Sequence, residues 1–284
     1  MCSQLRSSTW SEDQKKLSEQ LDFIKAPQAV EASLLNFDLE KFTGLKFIIL
    51  KGGEPLFDKA SLQFLQKLVD LRLSEKVSVT IFTNGIFVQK HIELLKKIKK
   101  VNLIFSFEGT GELYSYIRGG RDSSFDKFHE NVRSVSDLEN VFVSFMYTPQ
   151  AYNVFDWIAA YRYITETVQP LLRNKLNAHD LKSLFGNILH QPEHLAVNVW
   201  PEEVRMSALQ ELHKNSDDAG LFFVPLEALL KKPQDQLQYD RFVRYTKHLD
   251  ALRGENIFSC MPELKNTVMF EDYQNAQLSQ SSRL

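Results

Sequence analysis

Two glycines, a glutamate and a proline follow an apolar run in the first fifth of the chain. Gly52, Gly53, Glu54 and Pro55 come directly after "KFIIL" and a lysine. The glycines have no side chains, so the backbone N–H and C=O groups there are open to a ligand, and Glu54 adds a carboxylate. Such a set of acceptors suits an ammonium group. The competing interpretation is a Gly-Gly turn with a solvated glutamate, and these four residues alone do not decide between the two.

Polar residues also follow the later apolar runs. Asn84 lies in "TNG", and an Asn-Gly pair is common in turns. Ser106 lies near the end of an apolar run, and Arg118 follows in "YIRGG", where a guanidinium can cap a helix or bind a carboxylate in a bidentate fork. Asn198 lies in "NVWPEE". Taken singly, each residue favours the ordinary interpretation of a turn, a cap or a surface side chain.

The elements that must position these residues alternate between strand and helix. Runs rich in β-branched and aromatic residues predict strands at Lys46–Leu50, Val77–Phe82, Val101–Phe107, Val141–Tyr147, Leu195–Val199 and Leu221–Val224. Helical patterns lie at Ser11–Phe23, Ala60–Leu73, Lys90–Ile98, Ser124–Leu138 and Phe155–Val168. The first strand runs are almost wholly apolar, which predicts burial on both faces of a parallel sheet built from βαβ units. The polar residues should then meet at the carboxyl edge of that sheet.

Length and composition bound the class of protein. At 284 residues and 43% hydrophobic composition, the chain has the size of one α/β barrel or of two small domains, and one domain is favoured. Its 34 basic and 36 acidic residues give a net charge of −2, which predicts no nucleic-acid partner and no membrane partner. Cys2 and Cys260 are the only cysteines, and no signal segment is recognised, so a cytoplasmic location without disulfides is predicted. Spacings typical of zinc sites, P-loops and nucleophile elbows are absent.

Order and spacing favour one family. "GGEP", then "TNG", then "FSFEGTGELYSYIRGG" (105–120) with the helical pattern "FDKFHENV" behind it resemble the radical S-adenosylmethionine (radical SAM) superfamily. The resemblance narrows to members with a twitch domain through "YNVFD" (152–156), "PEHLAVNVWPEEV" (192–204) and "YTKHLDALRGENIFSCMPEL" (245–264). It therefore extends over almost the whole chain.

This resemblance implies a fold, a cofactor and a set of binding residues. The implied fold is a partial (βα)6 TIM-like barrel of mostly parallel strands that lacks the family's first strand, with an N-terminally incomplete core domain over residues 1–264 and a tail over 265–284. The implied cofactor is S-adenosylmethionine. Its implied contacts are Gly52, Gly53, Glu54, Pro55, Asn84, Ser106, Arg118 and Asn198. In the family, the G-G-E-P edge receives the amino group, and residues in the positions of Ser106 and Arg118 serve the carboxylate. Asn84 and Asn198 are expected to line the barrel mouth.

The chain departs from the family's pattern at the residues that bind the iron–sulfur cluster. A [4Fe–4S] cluster that leaves one iron open needs three thiolates, which the family supplies from a C-x-x-x-C-x-x-C loop. Here Met1-Cys2-Ser3 and "SSTW" (7–10) resemble the end of that loop, so Cys2 is the implied third metal ligand, whereas Cys260 is expected to be a core residue. We expect that the chain begins inside the loop and that in-frame codons upstream supply the other two cysteines. The alternative is a natural cluster-less relative without such codons.

The resemblance implies a radical-forming activity for the family, and the missing cysteines imply that this chain alone lacks it. Family members cleave S-adenosylmethionine reductively to a 5′-deoxyadenosyl radical, with an electron donor, and the twitch type suggests a peptide or natural-product substrate. One thiolate near the N-terminus cannot hold the cluster, so this chain alone is expected to be inactive. The alternative function is non-catalytic binding of a ligand or partner. Without the family's first strand, the outer edge at Lys46–Leu50 is expected to be exposed or covered by the N-terminal segment.

Overall fold

Four parallel strands form one sheet. The computed structural model describes residues 8–25, 39–42, 44–119, 123–172, 176, 184–185, 187–215 and 220–277. Within these residues the strand order is β1-β2-β3-β4. The strands are β1 (Phe47–Leu50), β2 (Ser78–Thr83), β3 (Lys100–Phe107) and β4 (Val141–Tyr147). The molecule is therefore an α/β protein with a parallel sheet, and the first four predicted strands are confirmed.

The strands are paired so that their carboxyl ends lie at one edge. Phe47 of β1 pairs with Ser78 of β2, and Ser78 pairs with Lys100 of β3. Val101 of β3 pairs with Val141 of β4. Since all three pairings are parallel, the segments that leave the strands emerge on the same side of the sheet.

Helices connect the strands and follow them. They are α1 (Ser8–Ser18), α2 (Lys59–Asp70), α3 (Ile92–Leu95), α4 (Gly111–Arg118), α5 (Phe125–Ser134), α6 (Trp157–Arg162), α7 (Gln169–Leu172), α8 (Glu202–Lys214), α9 (Gly220–Leu230), α10 (Gln236–Arg253), α11 (Ile257–Cys260) and α12 (Val268–Asn275). Tyr163–Val168 joins α6 to α7 as a π-helical segment. Short 3₁₀ turns occupy Leu39–Lys41, Leu73–Glu75, Gln89–His91, Ala151–Asn153, Glu193–Leu195, Val197–Val199 and Pro262–Asn266.

An aromatic core lies between the sheet and α5. Phe105 and Phe107 point to the same face of β3 because side chains alternate along a strand. Phe107 stacks on Phe128 of α5 with the ring centroids 5.6 Å apart, and Phe105 stacks on Phe145 of β4 at 5.7 Å. The alternate residues of β3, such as Ser106, are only half-buried. Full burial on both faces, which the apolar runs predicted, is therefore wrong for the described sheet, since its second face carries polar side chains.

Two predicted strands are helical instead. Leu195–Val199 forms the 3₁₀ turns Glu193–Leu195 and Val197–Val199, although the alternation of buried and half-buried residues resembles that of a strand. Leu221–Val224 lies inside α9, where Phe223, Leu226 and Leu230 are buried. That spacing is helical, and a short apolar run cannot be assigned to helix or strand from periodicity alone.

Several predicted helix boundaries also shift. The first helix begins at Ser8, so the predicted start at Ser11 is wrong. Lys90–Ile98 is helical only through the short turn Gln89–His91 and α3. Helix α5 begins where it was predicted, because the Ser124 side chain accepts a hydrogen bond from the amide of Lys127.

The C-terminal helices pack on the rest of the molecule. Tyr239 of α10 donates a hydrogen bond to Asp272 of α12 at 2.7 Å, and Met269 is fully buried. Part of the segment predicted as a tail is thus an ordered helix, whereas residues 278–284 lie outside the described part of the chain. None of the helices within the described residues is long and apolar enough to span a membrane.

Candidate binding site at the carboxyl edge of the sheet

Gly52 and Gly53 leave β1 in conformations that favour glycine. Their φ angles are 108° and 55°, a region that residues with a Cβ rarely adopt. Gly53 is exposed and Gly52 is half-buried. Within the described residues, neither glycine makes a backbone or side-chain hydrogen bond. Two carbonyl oxygens therefore remain available to a hydrogen-bond donor at this edge.

Glu54 joins the end of β1 to the end of β2. Its Oε2 accepts a hydrogen bond from the amide of Asn84 at 2.7 Å, and its Oε1 accepts one from the Thr83 hydroxyl at 2.8 Å. The amide of Leu56 donates to Oε1 at 3.2 Å, and the intervening Pro55 is buried. The solvated glutamate of the competing interpretation is therefore not observed, because three donors hold this carboxylate in place.

The Glu54 carboxylate is desolvated but remains surrounded by donors. Burial raises the pKa of Glu54 above its usual range, while the amide of Asn84, the Thr83 hydroxyl, the amide of Leu56 and the Arg118 charge act to lower it. A cationic ligand would add a further stabilising charge. The site thus favours a positively charged group beside Glu54.

Asn84 forms a turn, as its sequence context favoured. Its Oδ1 accepts a hydrogen bond from the amide of Ile86 at 3.0 Å, and Gly85 has a φ of 83°. A Cβ at Gly85 would lie 3.0 Å from the Phe105 ring, so the turn fits tightly on the aromatic core. The contribution of Asn84 to the edge is its main-chain amide, which binds Glu54, and not its side chain.

Ser106 and Arg118 lie together at the end of β3. The Arg118 guanidinium donates a short hydrogen bond to the carbonyl of Ser106. It also forms an ion pair with Glu108 at 2.7 Å, in which the two side chains are 6% and 1% exposed. Within the described residues, the Ser106 hydroxyl makes no hydrogen bond. The hydroxyl is therefore an available donor, while the Arg118 charge is balanced by Glu108.

Glu108 is a member of this edge that the sequence patterns missed. Burial acts to raise the pKa of Glu108, but the Arg118 guanidinium opposes it, and the pKa lies below its ordinary value. The signal was present in the sequence, because a glutamate inside "FSFEG" ends an otherwise apolar strand. A buried, ionised carboxylate requires a partner, and Arg118 supplies it.

Asn153 and Asp156 complete the edge after β4. The Asn153 amide donates to the carbonyls of Glu108 and Thr148 at 2.8 and 2.9 Å. Asp156 accepts hydrogen bonds from Thr110, through its amide at 3.2 Å and its hydroxyl at 2.5 Å, and from Tyr147 at 2.8 Å. Burial raises the pKa of Asp156 to about 6, although these donors oppose the shift. Both side chains come from the "YNVFD" segment, whose role the patterns did not assign.

Asn198 is not part of the hydrogen-bonded group that the other predicted contacts form within the described residues. Its carbonyl accepts a hydrogen bond from the amide of Asp235 at 3.1 Å, and its side chain lines a cavity bounded by the segments 188–190 and 229–238. Within the described residues, no hydrogen bond or ion pair joins Asn198 to the glycines, Glu54, Ser106 or Arg118. The structure thus brings the other predicted residues together at the strand ends and leaves Asn198 apart.

The predicted metal ligand, Cys2, lies outside the described residues. No group of three His, Cys, Asp or Glu side chains in the described part of the chain is placed to hold a metal ion. Cys260 is half-buried, and burial raises the pKa of its thiol to about 11. With two cysteines in the whole sequence, the chain cannot supply the three thiolates of an open [4Fe–4S] cluster. The residues present therefore do not fit that cluster.

No family model matches this chain, and no curated protein matches it. Function is therefore inferred from the chemistry of the strand ends. Open glycine carbonyls and the Glu54 carboxylate can accept hydrogen bonds from an ammonium group. The Ser106 hydroxyl and the Arg118 guanidinium offer donors for a carboxylate. A ligand that carries both groups, such as an α-amino acid moiety, matches this edge.

Proposed function

We propose that the chain binds S-adenosylmethionine at the carboxyl edge of its sheet, as the core of a radical SAM-type protein. In this proposal β1 to β4 belong to a partial (βα)6 barrel. The observation that carries it is the pair of open carbonyls at Gly52 and Gly53 beside the desolvated carboxylate of Glu54. This feature lies where parallel α/β proteins bind their ligands.

The amino-acid end of S-adenosylmethionine accounts for the polar groups at this edge. Its ammonium donates to the glycine carbonyls and approaches Glu54, whose pKa is raised by burial. The carboxylate of S-adenosylmethionine accepts a hydrogen bond from the Ser106 hydroxyl. It also accepts one from the Arg118 guanidinium, which forms an ion pair with Glu108 at 2.7 Å as well. The sharing is possible because a guanidinium carries five N–H donors.

The proposal for this chain is binding, because its cysteines do not fit the cluster. A bound [4Fe–4S] cluster would supply the electron that cleaves S-adenosylmethionine in radical SAM enzymes. The substrate class proposed from the resemblance, a peptide or a natural product, applies only to a protein with the full set of thiolates. The second candidate is a naturally cluster-less relative that binds another ligand or a protein partner without catalysis, and the cysteine count is compatible with it.

The test is equilibrium dialysis of the purified chain against radiolabelled S-adenosylmethionine, with the Glu54→Gln variant. Glutamine keeps the size of the side chain and removes the charge beside the ammonium, and its NH2 group replaces one of the two oxygens that accept hydrogen bonds from Thr83, Leu56 and Asn84, so the fold of the variant is checked by circular dichroism. A lost charge-assisted hydrogen bond costs about 2 kcal/mol, so we expect affinity to fall roughly thirtyfold.

Glu75→Gln is the control for Glu54→Gln. Glu75 is exposed and pairs with Arg72 at 2.8 Å on the surface, so its substitution should leave the affinity unchanged. Equal affinity of Glu54→Gln and the unaltered chain would refute the assigned ammonium contact. A chain that binds no S-adenosylmethionine at millimolar ligand would refute the proposed function.

A further inference from the structure

A second candidate site lies in the cavity that contains Asn198. The cavity has a volume of about 220 Å³ and is lined by the segments 188–190, 193–198 and 229–238. None of the glycines, Glu54, Ser106 or Arg118 lines it. Its volume is below the roughly 300–1,000 Å³ of pockets for drug-sized ligands. A ligand that fits it is correspondingly small.

One wall of the cavity is fixed by a buried arginine. The Arg205 guanidinium donates to the carbonyl of Trp200 at 2.9 Å and to that of Leu230 at 2.7 Å. It also donates a short hydrogen bond to the carbonyl of Lys232. These contacts hold the turn after α9 against the segment before α8, so the wall is preformed.

Hydrogen bonds also tie the remaining walls together. The amide of Asp235 donates to the carbonyl of Asn198 at 3.1 Å, and Gln238 Nε2 donates to Glu193 Oε2 at 3.0 Å. Gln238 is only 6% exposed. Its Oε1 and the side-chain amide of Asn198 make no hydrogen bond within the described residues. Asn198 is half-buried, so these polar groups are open to the cavity, where a small ligand or water can reach them.

The charges around the cavity are of mixed sign. Glu193 and Asp235 supply two carboxylates, and Lys232 supplies an ammonium that pairs with no carboxylate among the described residues. A simple anion would meet two like charges, and a simple cation would leave Lys232 unmatched. A zwitterion matches both signs. Apolar side chains of Ile188 and Leu229 complete the lining.

We propose that this cavity binds a free α-amino acid with an apolar side chain. Its ammonium lies toward the carboxylates of Glu193 and Asp235, and its carboxylate lies toward Lys232. Its side chain packs on the apolar lining. The amides of Asn198 and Gln238 satisfy the remaining donors and acceptors. This site is independent of the S-adenosylmethionine site proposed at the strand ends.

The test is isothermal titration of the full chain with L-leucine, L-leucinamide and N-acetyl-L-leucine as probes. Leucinamide lacks the carboxylate, and N-acetyl-leucine lacks the ammonium. If both charges are recognised, each derivative should bind at least about tenfold more weakly than leucine, because each loses one charge-assisted interaction. Absence of saturable leucine binding at millimolar concentrations would overturn the proposal.

Substitution of neighbouring lysines provides the control. Lys232→Met should weaken leucine binding about tenfold and leave leucinamide binding unchanged, since leucinamide has no carboxylate to lose a partner. Lys231→Met should change neither, because Lys231 pairs with Glu227 at 3.4 Å and does not line the cavity. Equal effects of the two substitutions would contradict the assignment.

Competition between leucine and S-adenosylmethionine for binding would show that the two sites are not separate. Failure of S-adenosylmethionine binding alone would refute the proposed function and leave the leucine site unaffected.

Discussion

Three carboxylates at the edge of one sheet have different environments. Burial dominates for Glu54 and Asp156 and raises both pKa values, with Asp156 reaching about 6. For Glu108 the Arg118 guanidinium opposes burial, and the pKa falls below its ordinary value. A cationic ligand would therefore stabilise Glu54 or Asp156 more than Glu108, which already has a cation, and of these two Glu54 is the one beside the open glycine carbonyls.

Asp156 gives the molecule a pH-dependent stability that can be measured. Its pKa rises from an ordinary 3.8 to about 6 in the folded state, so the folded state binds more protons between these values. The free energy of unfolding should therefore fall as pH rises through this window, by up to roughly 3 kcal/mol. Asp156→Asn should remove this component, because the amide does not titrate. Chemical denaturation from pH 4 to 7 measures the difference between the two proteins.

The control for Asp156→Asn is Asp70→Asn. Asp70 is an exposed residue that accepts a hydrogen bond from Gln66 at 2.8 Å, and its substitution should leave the pH profile of the unaltered chain in place. If Asp156→Asn keeps the same pH profile as the unaltered chain, the stated pKa of Asp156 is wrong. A uniform loss of stability at every pH would reflect lost hydrogen bonds and not lost titration.

The site residues differ in how far the sequence could reveal them. Gly52, Gly53 and Glu54 are adjacent, and their types alone indicate an open strand end. The pairing of Arg118 with Glu108 depends on the angle at which α4 leaves β3, which no local pattern encodes. The hydrogen bonds from Thr110 to Asp156 span 46 residues and require the packed fold. The sequence therefore indicated which site residues carry hydrogen-bond donors and acceptors, but not which residues they bind in the folded protein.

At the scale of elements, the sheet was predictable and the segments after β4 were not. The run Val141–Tyr147 coincides with β4, because most of its residues are apolar and buried. The prediction of a strand at Leu195–Val199 was wrong, because its buried apolar residues lie in 3₁₀ turns. The Trp200 side chain that follows these turns donates a hydrogen bond from Nε1 to the carbonyl of Ala151 at 2.9 Å. Tertiary burial, not strand pairing, accounts for its composition.

The outer edge of β1 is the element with the most exposed apolar surface. Phe47 and Ile49 are 73% and 67% exposed. The carbonyl of Lys46 accepts a hydrogen bond from the amide of Ser78 in β2. In a parallel strand the backbone groups of alternate residues point to opposite sides, so the N–H and C=O groups of the other residues of β1 point away from β2. No strand among the described residues pairs with this outer edge. The alternative expectation, cover by the N-terminal segment, falls partly on residues 1–7, which lie outside the described residues.

This edge should promote self-association of the chain. An unpaired apolar strand is a template for pairing with another chain, and a charge on it opposes that pairing. Ile49→Lys should therefore shift the chain toward monomer in light scattering and raise its soluble yield several-fold, with unfolding free energy changed by less than about 0.5 kcal/mol. Leu237→Lys is the control, because Leu237 is 59% exposed but lies on a helix. Equal effects of the two substitutions would show that general surface charge, and not the strand edge, controls solubility.

At the scale of the whole molecule, residues distant in sequence hold the carboxyl edge in place. Arg253 of α10 binds Asp13 of α1 at 2.6 and 3.0 Å and donates to the carbonyl of Tyr116 in α4 at 2.8 Å. The Tyr116 hydroxyl donates to Asp250 at 2.9 Å. Helix α4 carries Arg118, so contacts from both ends of the chain orient this residue. The candidate binding edge therefore depends on helices α1 and α10, which are far apart in the sequence.

The cysteine content of the whole molecule limits what this edge can do. The proposed S-adenosylmethionine binding would use backbone carbonyls and side chains that the chain has, whereas an open [4Fe–4S] cluster needs three thiolates and the sequence has two cysteines. Burial also raises the pKa of Cys260 to about 11, so its thiolate is scarce at neutral pH. We therefore expect anaerobic reconstitution with iron and sulfide to give far less than one cluster per chain.

Iron and sulfide analysis with electron paramagnetic resonance is the measurement for this expectation. Cys260→Ser should give the same result as the unaltered chain, because its half-buried thiol contributes no ligand. A stoichiometric [4Fe–4S] signal that changes when S-adenosylmethionine is added would contradict the expectation and restore a catalytic role. Binding of S-adenosylmethionine without that signal would place the chain among proteins that keep the ligand edge and lack the cluster, because the two functions depend on separate residues.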